Sequence, residues 1–295
     1  MTPSVYTPRR VSRSSFLPVR GLRQHVREWG EPGAPRLVLL HGWMDVSASF
    51  QFLVDAFSKD WHVIAPDWRG FGLTVQPGAD VYWMPDYLGD LDAILRAVSP
   101  DAPVDLVAHS MGGNVAVLYA GVRPERVRRV VNLEGLGMPA TVPEQAPGRL
   151  RHFLDELRSP PALRDYADLD EVAARLVKNN PRLPADKAAF LAGHWSAPTP
   201  EGRRALRADP AHKITNPYLY RVDEILAVWR RIEAEVLWVQ SDPLDDWHRF
   251  ATKPDYEERL RAIPKLTRAT VRESGHMLHH DQPEAVARLV EGFLA

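Results

Sequence analysis

Residues Val104–Ala108 form a short apolar run, Met111–Gly121 is a stretch of small residues suited to a helix, and Ser110 stands at the turn between them. A strand that becomes a helix so abruptly forces the residue at the turn into a strained backbone conformation. It also crowds the positions two before and two after it, which here are Ala108 and Gly112. The serine hydroxyl is left exposed at the carboxyl edge of a sheet, above a helix N-terminus whose backbone N–H groups can stabilise an oxyanion. A plain strand–turn–helix with a solvated serine shares this pattern, so the segment by itself constrains architecture more than chemistry.

The same alternation runs through the rest of the first half. Arg36–Leu40 is an apolar run ending in His41-Gly42, and Ser49–Phe57 is apolar at helical spacing. Trp61–Pro66 is a strand closed by the turn-rich stretch Asp67–Gly72, Tyr87–Val98 has one apolar helical face, and Val127–Leu133 is a further buried strand. Phe16–Arg20 and Gln24–Trp29 read as short strands split by Gly21. Strands alternating with helices predict an α/β fold with a mostly parallel, doubly wound sheet. Beyond Met138 the pattern stops. Arg149–Arg158, Leu169–Asn179, Ala185–Trp195 and Tyr220–Arg231 read as helices, and strands resume at Val236–Gln240 and Arg268–Arg272 before a final amphipathic helix, Pro283–Phe293. The expected division is a flexible tail over residues 1–13, a core over 14–137 and 232–295, and a helical cap or lid over 138–231 inserted between strands.

Composition narrows the chemistry. The 295 residues include no cysteine, which removes disulfides, thiolate nucleophiles and cysteine zinc sites together. Lys and Arg number 37 against 38 Asp and Glu, a balance that gives no reason to expect a nucleic-acid partner. No apolar run approaches the ~18 residues of a membrane span, so no membrane partner is expected. Six arginines precede Glu28, the first acidic residue, a composition resembling a transit peptide; with two short strands in the stretch and no apolar segment, it reads instead as a floppy tail of about 12 residues followed by the first strand pair, and the cytoplasm is the expected address.

Three further landmarks accompany Ser110: His41-Gly42-Trp43 after an early strand, Pro66–Gly72 (PDWRGFG), and Ser274-Gly275-His276 within SGHMLHHDQPE near the C-terminus. With AHSMGG at 108–113, the chain from Phe16 to Ala295 resembles the α/β-hydrolase superfamily. The likeness is to its cap-bearing branch of esterases, haloperoxidase-like enzymes and carbon–carbon bond hydrolases. One departure is Ala108, where the commonest elbow has glycine. The resemblance implies Ser110 as nucleophile, His276 as its general base, and the N–H groups of Trp43 and Met111 as the oxyanion hole. A serine there sets the chain apart from haloalkane dehalogenases and epoxide hydrolases, which use a carboxylate. For the third member two positions stay open: Glu134, at the end of Val127–Leu133, and Asp245, with Asp242 and Asp246 close by, after Val236–Gln240.

Other residues receive lesser expectations. The Asp67–Gly72 stretch lacks the G-x-G-x-x-G spacing and reads as a structural turn. His41 and His109 belong to their motifs structurally, and His279 and His280 read as helix-approach residues. No His, Asp or Glu group has metal-ligand spacing, so neither metal nor cofactor is expected. Trp43, His194 and Trp195 are the candidates for a hydrophobic substrate pocket under the cap. The expected activity is a serine hydrolase acting on a hydrophobic carboxylic ester or related acyl substrate. The alternatives are carbon–carbon bond hydrolysis, perhydrolysis, or a ligand-binding receptor with little turnover. Oligomeric state is left open.

Overall fold

The computed structural model describes residues 5–74, 77–244 and 250–295. One sheet contains β1 (Arg13–Val19), β2 (Leu22–Trp29), β3 (Arg36–Leu40), β4 (His62–Pro66), β5 (Val104–His109), β6 (Val127–Leu133), β9 (Glu235–Asp242) and β10 (Leu266–Arg272). A separate short hairpin pairs β7 (Ser196–Pro198) with β8 (Arg204–Leu206). The sheet order is β1-β2-β4-β3-β5-β6-β9-β10. Only β1–β2 and β2–β4 are antiparallel; all other neighbours run parallel. Successive side chains on a strand face opposite ways. Val38, Leu40, Leu106 and Ala108 therefore join one apolar layer, and Leu37, Leu39 and Val107 the other.

Helices cover both layers, as the alternating pattern predicts. Leu91 and Leu95 of α2 (Met84–Val98), with Val115, Ala116 and Tyr119 of α3 (Met111–Val122), close the first. Leu53 and Val54 of α1 (Gln51–Ala56), with Val286 and Val290 of the C-terminal helix (Pro283–Phe293), close the second. Among the described residues no helix is long and apolar enough to cross a membrane.

Between β6 and β9 lie α4 (Ala146–Arg158), α5 (Leu169–Asn179), α6 (Ala185–Trp195), the β7–β8 hairpin and α7 (Val222–Trp229). Helices α5 and α6 share a third apolar cluster built on Val172, Leu176, Leu183 and Leu191, against which Phe52 and Tyr6 pack. Helix α7 differs from the expectation that everything to residue 231 belongs to a cap. A Cβ on Gly121 of α3 would run into the Val228 backbone oxygen, and Trp229 meets Trp238 edge-on at 5.6 Å. Helical periodicity identifies an apolar face but not the surface it meets, and here that surface is the core.

Residues 5–12, expected to belong to a flexible tail, are held to the core by hydrogen bonds. Tyr6 Oη donates to Asp55 Oδ2 at 2.8 Å, the Arg9 and Arg10 N–H groups bond the same carboxylate at 3.0 and 2.7 Å, and Tyr6 N–H bonds the Asp186 carbonyl at 3.1 Å. The buried Asp55 charge supplies what local composition hides: a fixed partner for an arginine-rich strand-less segment.

The turn after β4 is fixed by Asp67. Its buried carboxylate accepts bonds from His25 Nδ1–H (2.7 Å), Ser47 N–H (2.6 Å) and Leu73 N–H (2.8 Å). Burial alone would raise its pKa. The hydrogen bond and charge of His25 outweigh that and hold the carboxyl far below the ordinary carboxylate range. The stability this contributes is present above the unfolded carboxylate pKa and is lost as pH falls toward the depressed native value. Asp67→Asn should lower the unfolding free energy by about 3–5 kcal/mol, as expected when one partner of a buried pair is removed. It should also flatten the acid limb of the stability curve. A urea midpoint matching that of the wild type, at equal slope, would contradict this role.

Candidate active site

Strand β5 passes directly into α3, with Ser110 alone between them. Its backbone sits at φ 52°, ψ −117°, a region that costs a non-glycine residue about 1–3 kcal/mol. Ser110 N–H donates to the Leu133 carbonyl at 2.8 Å, and its own carbonyl accepts from Asn114 N–H at 3.0 Å. Two glycines let the end of β3 press against this elbow. A Cβ on Gly112 would collide with the Leu40 carbonyl and stand 2.7 Å from the His41 carbonyl, and one on Gly42 would stand 3.1 Å from Ser110 Cβ.

The loop after β10 delivers His276. Ser110 Oγ–H donates to His276 Nε2 at 2.9 Å, and the His276 carbonyl accepts from His109 Nε2–H at 2.8 Å, which ties the imidazole's backbone to the residue beside the serine. Glu134 stands at the end of β6 with φ 59° and is buried. Its Oε1 accepts from Ser241 N–H at 2.5 Å, and Oε2 faces His276 Nδ1 at 3.4 Å, longer than the roughly 2.6–3.2 Å of a tight catalytic contact. The turn around Glu134 is clamped by Asn132, whose amide bonds both the N–H and the carbonyl of Gly135 at 2.9 and 3.0 Å. Met111 is the first residue of α3, so its N–H belongs to the helix N-terminus above the elbow. Asp245 and Asp246 lie outside the described residues, and Asp242 is exposed at the end of β9.

The substrate-pocket candidates separate. Trp43, half-exposed, donates Nε1–H to the His212 carbonyl at 3.3 Å and lines, with Trp195, a cavity of about 590 Å³ bounded by α5. His194 does not line it. It faces a different recess of about 60 Å³ with Arg27, Asp67 and Arg207, where burial pushes its pKa down to about 4. Adjacent positions 194 and 195 on one helix line different cavities. A second cavity, about 580 Å³ and mostly apolar, lies between α3 and α7 and is lined by Asn114, Val117, Met138, Ile225, Val228 and Trp229 among others.

Sequence spacing also missed a cluster. Asp45, His109 and His279, all buried, each bring one ligand-type atom within 4.8 Å of the other two. They come from three separate landmarks (the loop after β3, the end of β5 and the short helix Leu278–Asp281), so no local spacing announces them. The one available signal was that all three landmarks end at the same edge of the sheet.

A family model described as alpha/beta hydrolase fold matches residues 35–283. A serine hydrolase-like protein from Danio rerio is 27% identical over 297 residues, covering 98% of this chain and 90% of the relative. The 2-(acetamidomethylene)succinate hydrolase of Mesorhizobium japonicum is 26% identical over 270 residues, covering 92% and 91%. Among solved structures, the thioesterase domain from the curacin biosynthetic pathway superimposes with a TM-score of 0.85 at 24% identity, covering 96% of this chain and 99% of that domain.

The close approach at Gly112 gives a test of the elbow. Carbonyl oxygens on a central strand cannot swing aside, so Gly112→Ala should cost about 1–3 kcal/mol of stability and displace Ser110. Gly148→Ala, on exposed α4 with nothing near its Cβ, should be neutral or stabilising by up to about 1 kcal/mol. Equal thermal midpoints for the two variants would contradict the packing described here.

Proposed function

The chain belongs to the alpha/beta hydrolase fold family, and from that premise we propose that it is a serine hydrolase acting on a hydrophobic carboxylic ester or related acyl substrate. The observation that carries this reading is the 2.9 Å contact between Ser110 Oγ and His276 Nε2, made on a strained elbow at the N-terminus of α3. In the proposed reaction His276 Nε2 takes the Ser110 proton as Oγ attacks the substrate carbonyl. The N–H groups of Trp43 and Met111 receive the developing oxyanion. His276 then returns the proton to the leaving alcohol, and water, deprotonated by the same imidazole, releases the acid from the acyl-enzyme. Glu134 holds the Nδ1–H tautomer and balances the imidazolium charge. We assign it the acid role because its carboxylate is buried and already anchored by Ser241 N–H. A protein that only bound ligands would need neither the hydroxyl nor the imidazole.

Helices α4, α5 and α6 act as the cap in this reading, and the apolar cavity between α3 and α7, which begins one helical turn after Ser110, takes the acyl or aromatic group. One observation favours a second reading within the same chemistry. The cavity shared by Trp43 and Trp195 carries Arg164, Arg175, Lys178 and Lys213 against Glu171, which suits an acyl substrate that also bears a carboxylate. The succinate-derived substrate in the name of the Mesorhizobium relative is of that kind.

A fluorophosphonate probe should label the wild type on Ser110 and leave Ser110→Ala unlabelled; labelling that survives the substitution would overturn the nucleophile. Turnover of p-nitrophenyl esters in Ser110→Ala should fall by ~10³-fold or more. Glu134→Gln should lower kcat by ~10²–10⁴ through loss of the tautomer lock, while Asp245→Asn changes it little. The reverse pattern would move the acid to the loop after β9.

A further inference from the structure

Three buried side chains beside the Ser110–His276 pair carry polar atoms that meet no hydrogen-bond partner among the described residues: Asp45 Oδ2, His109 Nδ1, and both ring nitrogens of His279. Asp45 is 2% exposed, His109 1% and His279 0%, so solvent does not satisfy them. Leaving such atoms unpaired costs about 1–3 kcal/mol each, and native structures rarely gather four in one place.

We propose that Asp45, His109 and His279 form a buried binding site for a divalent transition-metal ion of the zinc type, adjoining the Ser110–His276 pair. The geometry is the first support: one ligand-type atom from each residue lies within 4.8 Å of the other two. The second is the state of the lone pairs. His109 Nε2 faces the His276 carbonyl, which can only accept, so Nε2 carries the hydrogen and Nδ1 presents a bare lone pair. Asp45 Oδ1 accepts from Val46 N–H at 2.8 Å, which orients the carboxyl group, and Ser49 and Trp195 lie within hydrogen-bonding reach of it.

The donor set also selects the ion. Two imidazoles and one carboxylate suit a four-coordinate zinc-type ion, with water in the fourth position. Calcium and magnesium need six or more oxygen ligands or retained waters, which one carboxylate and two imidazoles do not supply. The neighbours behave as outer support: His280 Nε2 meets Ser49 Oγ at 2.6 Å, and the His109–His276 bond couples the ion to the loop that carries His276. The role that follows is to fix the His109 tautomer and the His276 loop. No chemical step is assigned to the ion.

The test uses the intact chain, stripped by dialysis against EDTA, incubated with Zn²⁺, and passed through gel filtration before metal analysis. The expected result is one zinc per chain and a Tm that rises with zinc concentration. Asp45→Asn and His279→Gln should lose both effects, whereas His152→Gln, on the exposed face of α4, should keep them. Where the buried variants fail to fold, Co²⁺ added to the stripped wild type decides: intense visible bands of four-coordinate cobalt support the site, and a spectrum like that of aqueous Co²⁺ overturns it. Sub-stoichiometric zinc in the wild type, with water alone bridging the three residues, or full zinc retention by Asp45→Asn, would equally overturn it. Metal content is the readout, so the outcome is independent of whether the chain hydrolyses esters.

Discussion

The backbone of Ser110 is the constraint around which the rest of the structure is arranged. A residue with a side chain is held at positive φ between a strand and a helix, at a cost of about 1–3 kcal/mol. The cost is offset by what flanks it: all six residues of β5 are buried, and α3 lies against the sheet through Val115, Ala116 and Tyr119. Because the elbow is so tight, the neighbouring loops must pass it without side chains. Gly42, Gly112 and Gly113 meet this need, and Gly113 lies against the Asn132–Gly135 clamp that shapes the turn bearing Glu134. One strained residue thus dictates small residues in the loop after β3, on α3 and in the loop after β6.

Loops at this edge are joined mainly by side chain–backbone bonds in which buried histidines act as neutral connectors. His41 Nδ1–H donates to the Gly42 carbonyl at 2.7 Å, leaving Nε2 to accept Trp68 N–H at 2.9 Å, and burial lowers its pKa to about 4. His212 is sandwiched between Phe71 and Tyr82 at 3.7 and 3.8 Å, with a pKa pushed down to about 3 by burial. It is also the residue whose carbonyl receives Trp43 Nε1–H. A neutral imidazole offers one donor and one acceptor, so it can bridge two loops without the desolvation cost of a charge. The His41–Trp68 bonds tie the first oxyanion-hole candidate loop to the turn that Asp67 holds.

What the sequence revealed follows from the range of each signal. Periodicities of two and 3.6 residues are local, so the buried strands, the helices over both sheet faces and the elbow at Ser110 were legible. The convergence of Ser110 with His276 was legible through ordered landmarks at successive strand ends. Longer-range facts were not. Nothing near Tyr6 or Arg10 announces Asp55, and nothing in Val222–Trp229 announces that its apolar face meets α3 rather than a cap. The β7–β8 hairpin, three residues per strand, is too short for a period to register. His194 and Trp195 are neighbours in sequence, yet they line different cavities. Glu134 was recognisable as one of two acids only because it ends a strand; its anchoring bond from Ser241 crosses to another strand and has no local trace.

In the proposed reaction Ser110 forms a covalent bond with the substrate. Acid-quenched samples taken during turnover of p-nitrophenyl butyrate, digested and read by mass spectrometry, test this most directly. The predicted result is a butyryl group on the peptide containing Ser110, present during turnover and gone once the ester is exhausted. Sustained turnover with an unmodified Ser110 peptide, or with the adduct on a carboxylate instead, would contradict it.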